Sequence, residues 1–525
     1  MWRKVGRVCT GVILRPFRGF HPPSDLMQRM ACPPFDVIES DEAREMAKGN
    51  EKSFLHVDKP EIDFPQGTSQ YDDAVYKKGK ENLDLFIKNV FLFLFLFLLK
   101  WLTQDEKPCL YIYSQEMKVS RTGKVHVQYG IAAEVSAKQY EEKIIKIHEF
   151  TRPKKEDDRT RLTDTQRGGY IKLEKCNKQK KGANASPVFL CYRGVKEINE
   201  VIEEVTKKQQ PYADFISDDG IKHRLWIVEE EKLTDKISHL FAQKVPCLYV
   251  ADGHHRTASA WRVYKKRREE LEKKQQYTGN EAFNYFLAVV FPAEQLNILD
   301  YNRIVLTLNE LSPDQFLKKL DEQWTYEPCK CVGKKETSEE REDKEDTHAS
   351  LPLPVTKSNE YRMYLHSKGW FTLKPKPCVL KDVGDDIIKS LDVSILSDFL
   401  LAPILGIKDL RNDTRIDFVG GISGLQRLQE KIDQNKSGVA FGLFPTSVDQ
   451  LMAIADGNKI MPPKSTWFEP KLRSGVVSHK NENLIQFHNK QNFQRIASIF
   501  SMPLGRSFGS PVSHDYEKNT IVNFF

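Results

Sequence analysis

From Val188 onward the chain alternates short apolar runs with segments of helical period, and this alternation restricts the fold more than any other feature. Val188 to Tyr192, Leu225 to Val228 and Pro246 to Ala251 read as strands, while 196–208, 232–243 and 254 to about 275 read as helices. Upstream, Leu110 to Tyr113, Val125 to Ala133 and Lys143 to Phe150 add strands rich in β-branched and aromatic residues. Helices are expected at 41–50, with acids in the first turn, and at 82–89. Such an order predicts an α/β or α+β fold built on a mixed, partly buried sheet.

A chain of 525 residues exceeds one ordinary core. The run Lys334 to Asp346 is almost wholly charged, cannot bury apolar surface and reads as a solvated linker or insertion. We therefore expect a mixed α/β domain over 1–330, a charged segment over 331–352, a smaller α+β domain over 353–478 and a poorly ordered tail over 479–525. Within the first domain, Val90 to Leu99 is an alternating Phe/Leu run about half as long as a membrane-spanning helix requires, so 90–100 reads as an insertion and not an anchor. Net charge is +7, from 80 basic and 73 acidic residues, which is too dilute to imply a nucleic-acid partner. Nine dispersed cysteines without a CxxC pair point to reduced thiols and a cytoplasmic setting. The alternative is organellar, since Met1 to Phe20 carries five basic residues (Arg3, Lys4, Arg7, Arg15, Arg18) and no acid.

Two segments carry chemistry. After the buried strand Val245 to Ala251, Asp252-Gly253 makes a tight turn and a helix opens with His254-His255-Arg256. Strand, glycine turn and helix start together present free N–H groups and a positive dipole end to an anion. Arg256 adds a fork suited to phosphate, and Asp252 suits a cap or Mg²⁺. His254 and His255 lie about 100° apart around the helix, so one of them faces a ligand. The bland alternative is a capped helix with polar first-turn residues. The second segment, His148-Glu149, ends the strand from Lys143 and precedes Lys154, Lys155, Asp157, Asp158 and Arg159. Ligands bind at the carboxyl ends of strands in α/β sheets, where Glu149 would be a general base toward a hydroxyl and the cations would steer phosphate. By itself this segment reads as a charged loop. Met461-Pro462-Pro463-Lys464-Ser465-Thr466 lacks the glycines of a phosphate-binding loop, and its prolines remove donors. It reads as a turn, with Lys464 in reach of a ligand.

Pro33-Pro34-Phe35-Asp36-Val37-Ile38, His148-Glu149 with Asp158-Arg159, Ala251 to Arg256 and Met461 to Thr466 occur in the order found in the family called domain of unknown function 1015, and the chain resembles that family over most of 15–478. The family name implies no activity. The Asp-Gly-His-His-Arg turn also resembles, over about a dozen residues, the nucleotide-binding turn of the ParB/sulfiredoxin superfamily. That resemblance implies a nucleotide and leaves the small-molecule kinase branch. Sulfiredoxins place their reactive cysteine where this chain has His254, and no helix-turn-helix of a partition protein is present.

The expectation is nucleotide- and Mg²⁺-dependent phosphoryl transfer to or from a small hydroxyl metabolite, with a nucleoside di- or triphosphate as cofactor. Glu149, His148 and Asp252 are the catalytic candidates. Gly253, His254, His255, Arg256, Arg159 and Lys464 are the phosphate-binding ones, and Asp252 is the metal ligand. One alternative is a metal-dependent hydrolase using His148, Glu149, His254 and His255 around Zn²⁺ or Mn²⁺, and another is a non-catalytic nucleotide sensor. Neither nucleic acid nor membrane is expected as a partner.

Overall fold

A computed structural model describes residues 11–87, 90–91, 98–99, 101–119, 123–151, 153–166, 182–184, 186–329 and 351–481. Among these, nine strands form one mixed sheet. In chain order they are β1 (Leu14–Arg15), β2 (Leu110–Lys118), β3 (Val125–Ser136), β4 (Ile145–Lys146), β5 (Val188–Tyr192), β6 (Ala213–Ile216), β7 (Lys222–Val228), β8 (Leu248–Asp252) and β9 (Tyr285–Pro292). Across the sheet the order is β6-β7-β2-β3-β9-β5-β8-β4, with β1 on the far half of β3. The β5–β9 and β8–β4 pairs are parallel and the other pairs antiparallel, so the fold is mixed α/β as the alternation requires.

Every residue of β5 is buried, which is why it reads as an unbroken apolar run. Its side chains alternate between two cores. Val188 and Leu190, with Leu248, Val250, Ala288 and Val290, meet three helices on one face: Lys196–Lys208, Glu231–Lys244 and His254–Lys273. The first of these buries Ile198, Val201, Ile202 and Val205, the i, i+3, i+4, i+7 stripe of an amphipathic helix. Phe189, Cys191, Tyr249, Ala251, Leu287, Val289 and Phe291 face the other way, into an apolar cluster shared with a second sheet.

That second sheet is antiparallel and runs β11-β13-β12-β15-β10-β14, where β10 is Tyr301–Val305, β11 Trp324–Pro328, β12 Tyr361–Leu365, β13 Gly369–Pro375, β14 Ile416–Gly420 and β15 Val439–Gly442. It draws strands from both sides of the charged run 334–346, which lies outside the described residues. Val305, Met363, Phe371 and Phe441 of this sheet join the shared cluster, so one apolar layer lies between the two sheets.

Three local readings differ from the sequence expectation. Lys143 to Phe150 is not one long strand: only Ile145–Lys146 pairs, because Lys143 sits at φ +58° and the chain leaves the sheet after Lys146. The charged stretch after Glu149 is a helix, Pro153–Gln166, opened by proline at its first position. His479–Asn481, expected in the tail, pairs antiparallel with Gly182–Asn184. Val90–Phe91 pairs antiparallel with Leu98–Leu99, outside both large sheets; the rest of that run and the tail from 482 lie outside the described residues. Among the described residues no helix is long and apolar enough to cross a membrane, and the described cysteines are free thiols.

Candidate functional site

The helix His254–Lys273 begins at Gly253, whose φ of +92° is the left-handed conformation that a side chain resists. A β-carbon there would also stand 3.1 Å from the Arg256 guanidinium. The turn is fixed from both ends. The Gly253 amide donates to Asp252 Oδ1 at 3.0 Å, and the Thr257 amide and hydroxyl both donate to the Gly253 carbonyl, at 2.9 and 3.0 Å. The amides of the first helical turn point out of the strand end, as at any helix start.

Around this turn the chain gathers segments far apart in sequence. His148 is buried and its ring packs edge-on against His254, with centroids 4.5 Å apart and an interplanar angle of 82°. Its Nε2 lies 3.2 Å from Thr466 Oγ1, and its carbonyl accepts from the Met461 amide at 2.8 Å. In the 461–466 segment Ser465 closes a turn onto the Pro462 carbonyl at 2.6 Å, and Lys464 takes φ +59°. The Lys464 ammonium stands 5.4 Å from the centre of the Tyr301 ring. Phe35 and Asp36 come from the proline-rich N-terminal region. Arg159 lies over the Phe35 ring at 3.5 Å and pairs with Asp158 at 2.9 Å, while Asp158 also accepts the Tyr76 hydroxyl at 2.5 Å.

Arg256 is turned inward. Its side chain is only 9% exposed, Nη1 donates to the Pro187 carbonyl, and Nη2 lies 3.5 Å from Asp36 and 3.9 Å from Asp252. The fork read from sequence as open to phosphate is thus largely engaged by protein oxygens, and only its buried Nε lacks a partner. Arg159 is similarly engaged. The imidazole Nε2 of His254, also buried, likewise has no hydrogen-bond partner.

The charges fix the protonation pattern. Burial holds the Glu149 carboxyl above its ordinary value and Asp252 adds to this, against a downward pull from Lys464 and Arg411. Burial would also raise Asp252, but Lys471, whose Nζ is 3.3 Å away, and then Arg256 bring it down to about 2. Burial pushes His254 down to about 4 and His255 down to about 4, and drives His148 well below the usual range with His254 adding to it. The site therefore holds neutral imidazoles and an ionised Asp252, beside a Glu149 carboxyl that burial makes a stronger base than an ordinary carboxylate.

Asp252 does not fit the metal role. One oxygen holds the Gly253 amide and the other the Lys471 ammonium. Among the described residues no group of three or more His, Cys, Asp or Glu forms a metal ligand set. His148, Glu149, His254 and His255, the residues of the expected Zn²⁺ or Mn²⁺ hydrolase, are among the described residues and form no such set.

Two site residues escaped the sequence reading. Lys471 lies in an irregular segment with no periodic signal. Arg303 sits in the middle of β10 beside Asn302, and an arginine at the centre of a fully buried strand is unusual enough to be a signal.

The profile of the family described as a protein of unknown function, DUF1015, matches residues 14–394. Among solved structures the chain is similar to SbnI with a C-terminal truncation from Staphylococcus aureus, at 10% identity and TM-score 0.30, covering 70% of this chain and 95% of that one. It is also similar to a free serine kinase in complex with AMP, at 10% identity and TM-score 0.26, covering 65% and 86%. A conserved hypothetical protein from Pyrococcus furiosus gives 10% identity and TM-score 0.27, covering 66% and 93%. No curated protein matches the sequence significantly.

Proposed function

The chain belongs to the DUF1015 family, and for the site at the head of the long helix we propose nucleotide-dependent phosphoryl transfer to or from a small hydroxyl metabolite. The observation that carries this reading is geometric: the His148-Glu149 segment packs against the helix start at His254 and is tied to the 461–466 turn that bears Lys464, and burial raises the basicity of the Glu149 carboxylate. Phosphoryl transfer asks a protein for positioning and charge neutralisation more than for covalent chemistry. Gly253 and the first-turn amides, with His254, His255 and Lys464, would hold the phosphates. Glu149 would take the proton of the acceptor hydroxyl as its oxygen bonds to the terminal phosphorus and the bond to the leaving nucleoside diphosphate breaks. Arg256 and Arg159 support the site from within. A divalent cation in this reading arrives on the nucleotide, because Asp252 is already engaged.

The test is a thermal-shift series with nucleoside di- and triphosphates, with and without Mg²⁺, followed by turnover with hydroxyl metabolites. A nucleotide at a hundred times its Kd should stabilise the protein by about 2.7 kcal/mol. Glu149→Gln should keep that stabilisation and slow transfer by about a hundredfold or more. Absence of any nucleotide-dependent shift would end this reading. Binding without turnover in the wild type would favour a nucleotide sensor.

A further inference from the structure

Arg303 is fully buried in the middle of β10, on the face turned to the first sheet, in register with Phe441 on one side and Phe418 on the other. Val305, two residues on and so on the same face, and Phe441 both belong to the apolar layer between the sheets. The Arg303 Nη1 donates to the Tyr301 carbonyl, whereas Nε and Nη2 have no partner. Those two nitrogens form one complete edge of the guanidinium, with parallel N–H groups spaced for the two oxygens of a carboxylate. A buried cation with an empty edge is among the costliest arrangements a core can contain, and here the neighbours are the rings of Phe418 and Tyr301, at 5.0 and 6.0 Å. The carboxylate whose charge reaches Arg303 is that of Glu149, and no hydrogen bond joins that edge to it. Lys464 stands over the same Tyr301 ring and also acts on Glu149.

We infer that the open edge of Arg303 binds the carboxylate of the acceptor, so that the metabolite phosphorylated at this site is a hydroxy acid. The inference rests on the phosphoryl-transfer reading for the fate of the hydroxyl, but not for the binding of the acid. Glu149 is the carboxyl whose charge acts on Arg303, so a carboxylate on that edge would bring the acceptor's own hydroxyl to the side of the proposed base. A singly charged planar group also suits a place beside Glu149 better than a phosphate dianion, which would add repulsion. Lysine cannot substitute for the edge, since it offers a point charge in place of two parallel donors.

The experiment is isothermal titration of the full-length protein with glycerate, malate and serine, each against its amide, with and without a saturating ATP analogue. At least one acid should bind, and its amide should bind at least about tenfold more weakly, a comparison on the wild-type protein that needs no variant to fold. Arg303→Lys should weaken the acid by about ten- to a hundredfold while ATP affinity stays within about twofold. No binding by any acid, equal binding of acid and amide, or unchanged acid affinity in the variant overturns the assignment. Parallel loss of ATP overturns it too, since the edge would then hold nucleotide phosphate. Acid binding that depends on Arg303 in a protein that binds no nucleotide supports it and removes phosphoryl transfer instead.

Discussion

His254 shows how the site trades stability against pH. Burial lowers its folded value to about 4 from the ordinary 6.5. Above 6.5 the imidazole is neutral whether the chain is folded or not, and its contribution to stability is fully present. As pH falls the unfolded chain takes up the proton first, so the contribution is lost progressively until the folded value is reached. For a shift from 6.5 to about 4 the loss amounts to about 3 kcal/mol. His148 and His255 are lowered in the same direction and steepen the same window. Urea denaturation at pH 7.5 and pH 4.5 should therefore show a large drop for the wild type and a distinctly smaller one for His254→Gln. Equal drops would mean that the ring is protonated within the fold. Glu149 has the opposite sign: its raised value favours the fold at low pH and disfavours it as pH rises through that value, so it does not contribute to this acid loss.

The element that matters is the strand-turn-helix around Gly253, anchored by Arg256. With its guanidinium engaged by Pro187, Asp36 and Asp252, Arg256→Ala would leave two carboxylates and a carbonyl in a largely buried setting. Removing one partner from such a group costs about 3–5 kcal/mol, which denaturant titration would resolve, and Arg256→Lys should recover only part of it. A loss under about 1 kcal/mol would instead free Arg256 to serve as a ligand fork. Much of this element was legible in advance. The apolar run into Asp252-Gly253 and the helix from His254 follow from the residues alone, and Val188–Tyr192 and 196–208 fall on the expected bounds, because burial pattern and period agree there. The inward turn of Arg256 was not legible, since it depends on Asp36 and Pro187, both far away in sequence. Nor was the helix Pro153–Gln166. Its sequence has almost no apolar stripe, and contacts with the long helix hold it: Arg262 with Glu156 and Asp157, and Arg267 with Asp164. Arg303 was not legible either, since only its pairing in the fold shows that one edge is empty.

For the molecule as a whole, the shared apolar layer makes the two sheets depend on each other. Phe189, Tyr249 and Val289 from one and Met363, Phe371 and Phe441 from the other belong to a single cluster. Asp456 adds a polar tie, accepting from Lys146 at 2.6 Å, Arg193 at 2.8 Å and the Tyr249 hydroxyl at 2.8 Å. Residues 11–481 should accordingly unfold in one transition, with calorimetric and van't Hoff enthalpies in agreement; two resolved transitions would mean that the layer is weaker than its burial implies. The ion pair between Asp252 and Lys471 has a consequence during synthesis. Its partners are 219 residues apart, which a ribosome at about 5–20 residues per second covers in about 10–45 s. Throughout that interval the nascent chain has the residues of the turn and its helix but lacks Lys471, so water must serve the carboxylate oxygen that the ammonium later takes. A message cut short before that lysine codon would therefore yield a product in which this oxygen of Asp252 has lost its ammonium partner, however complete the first sheet is.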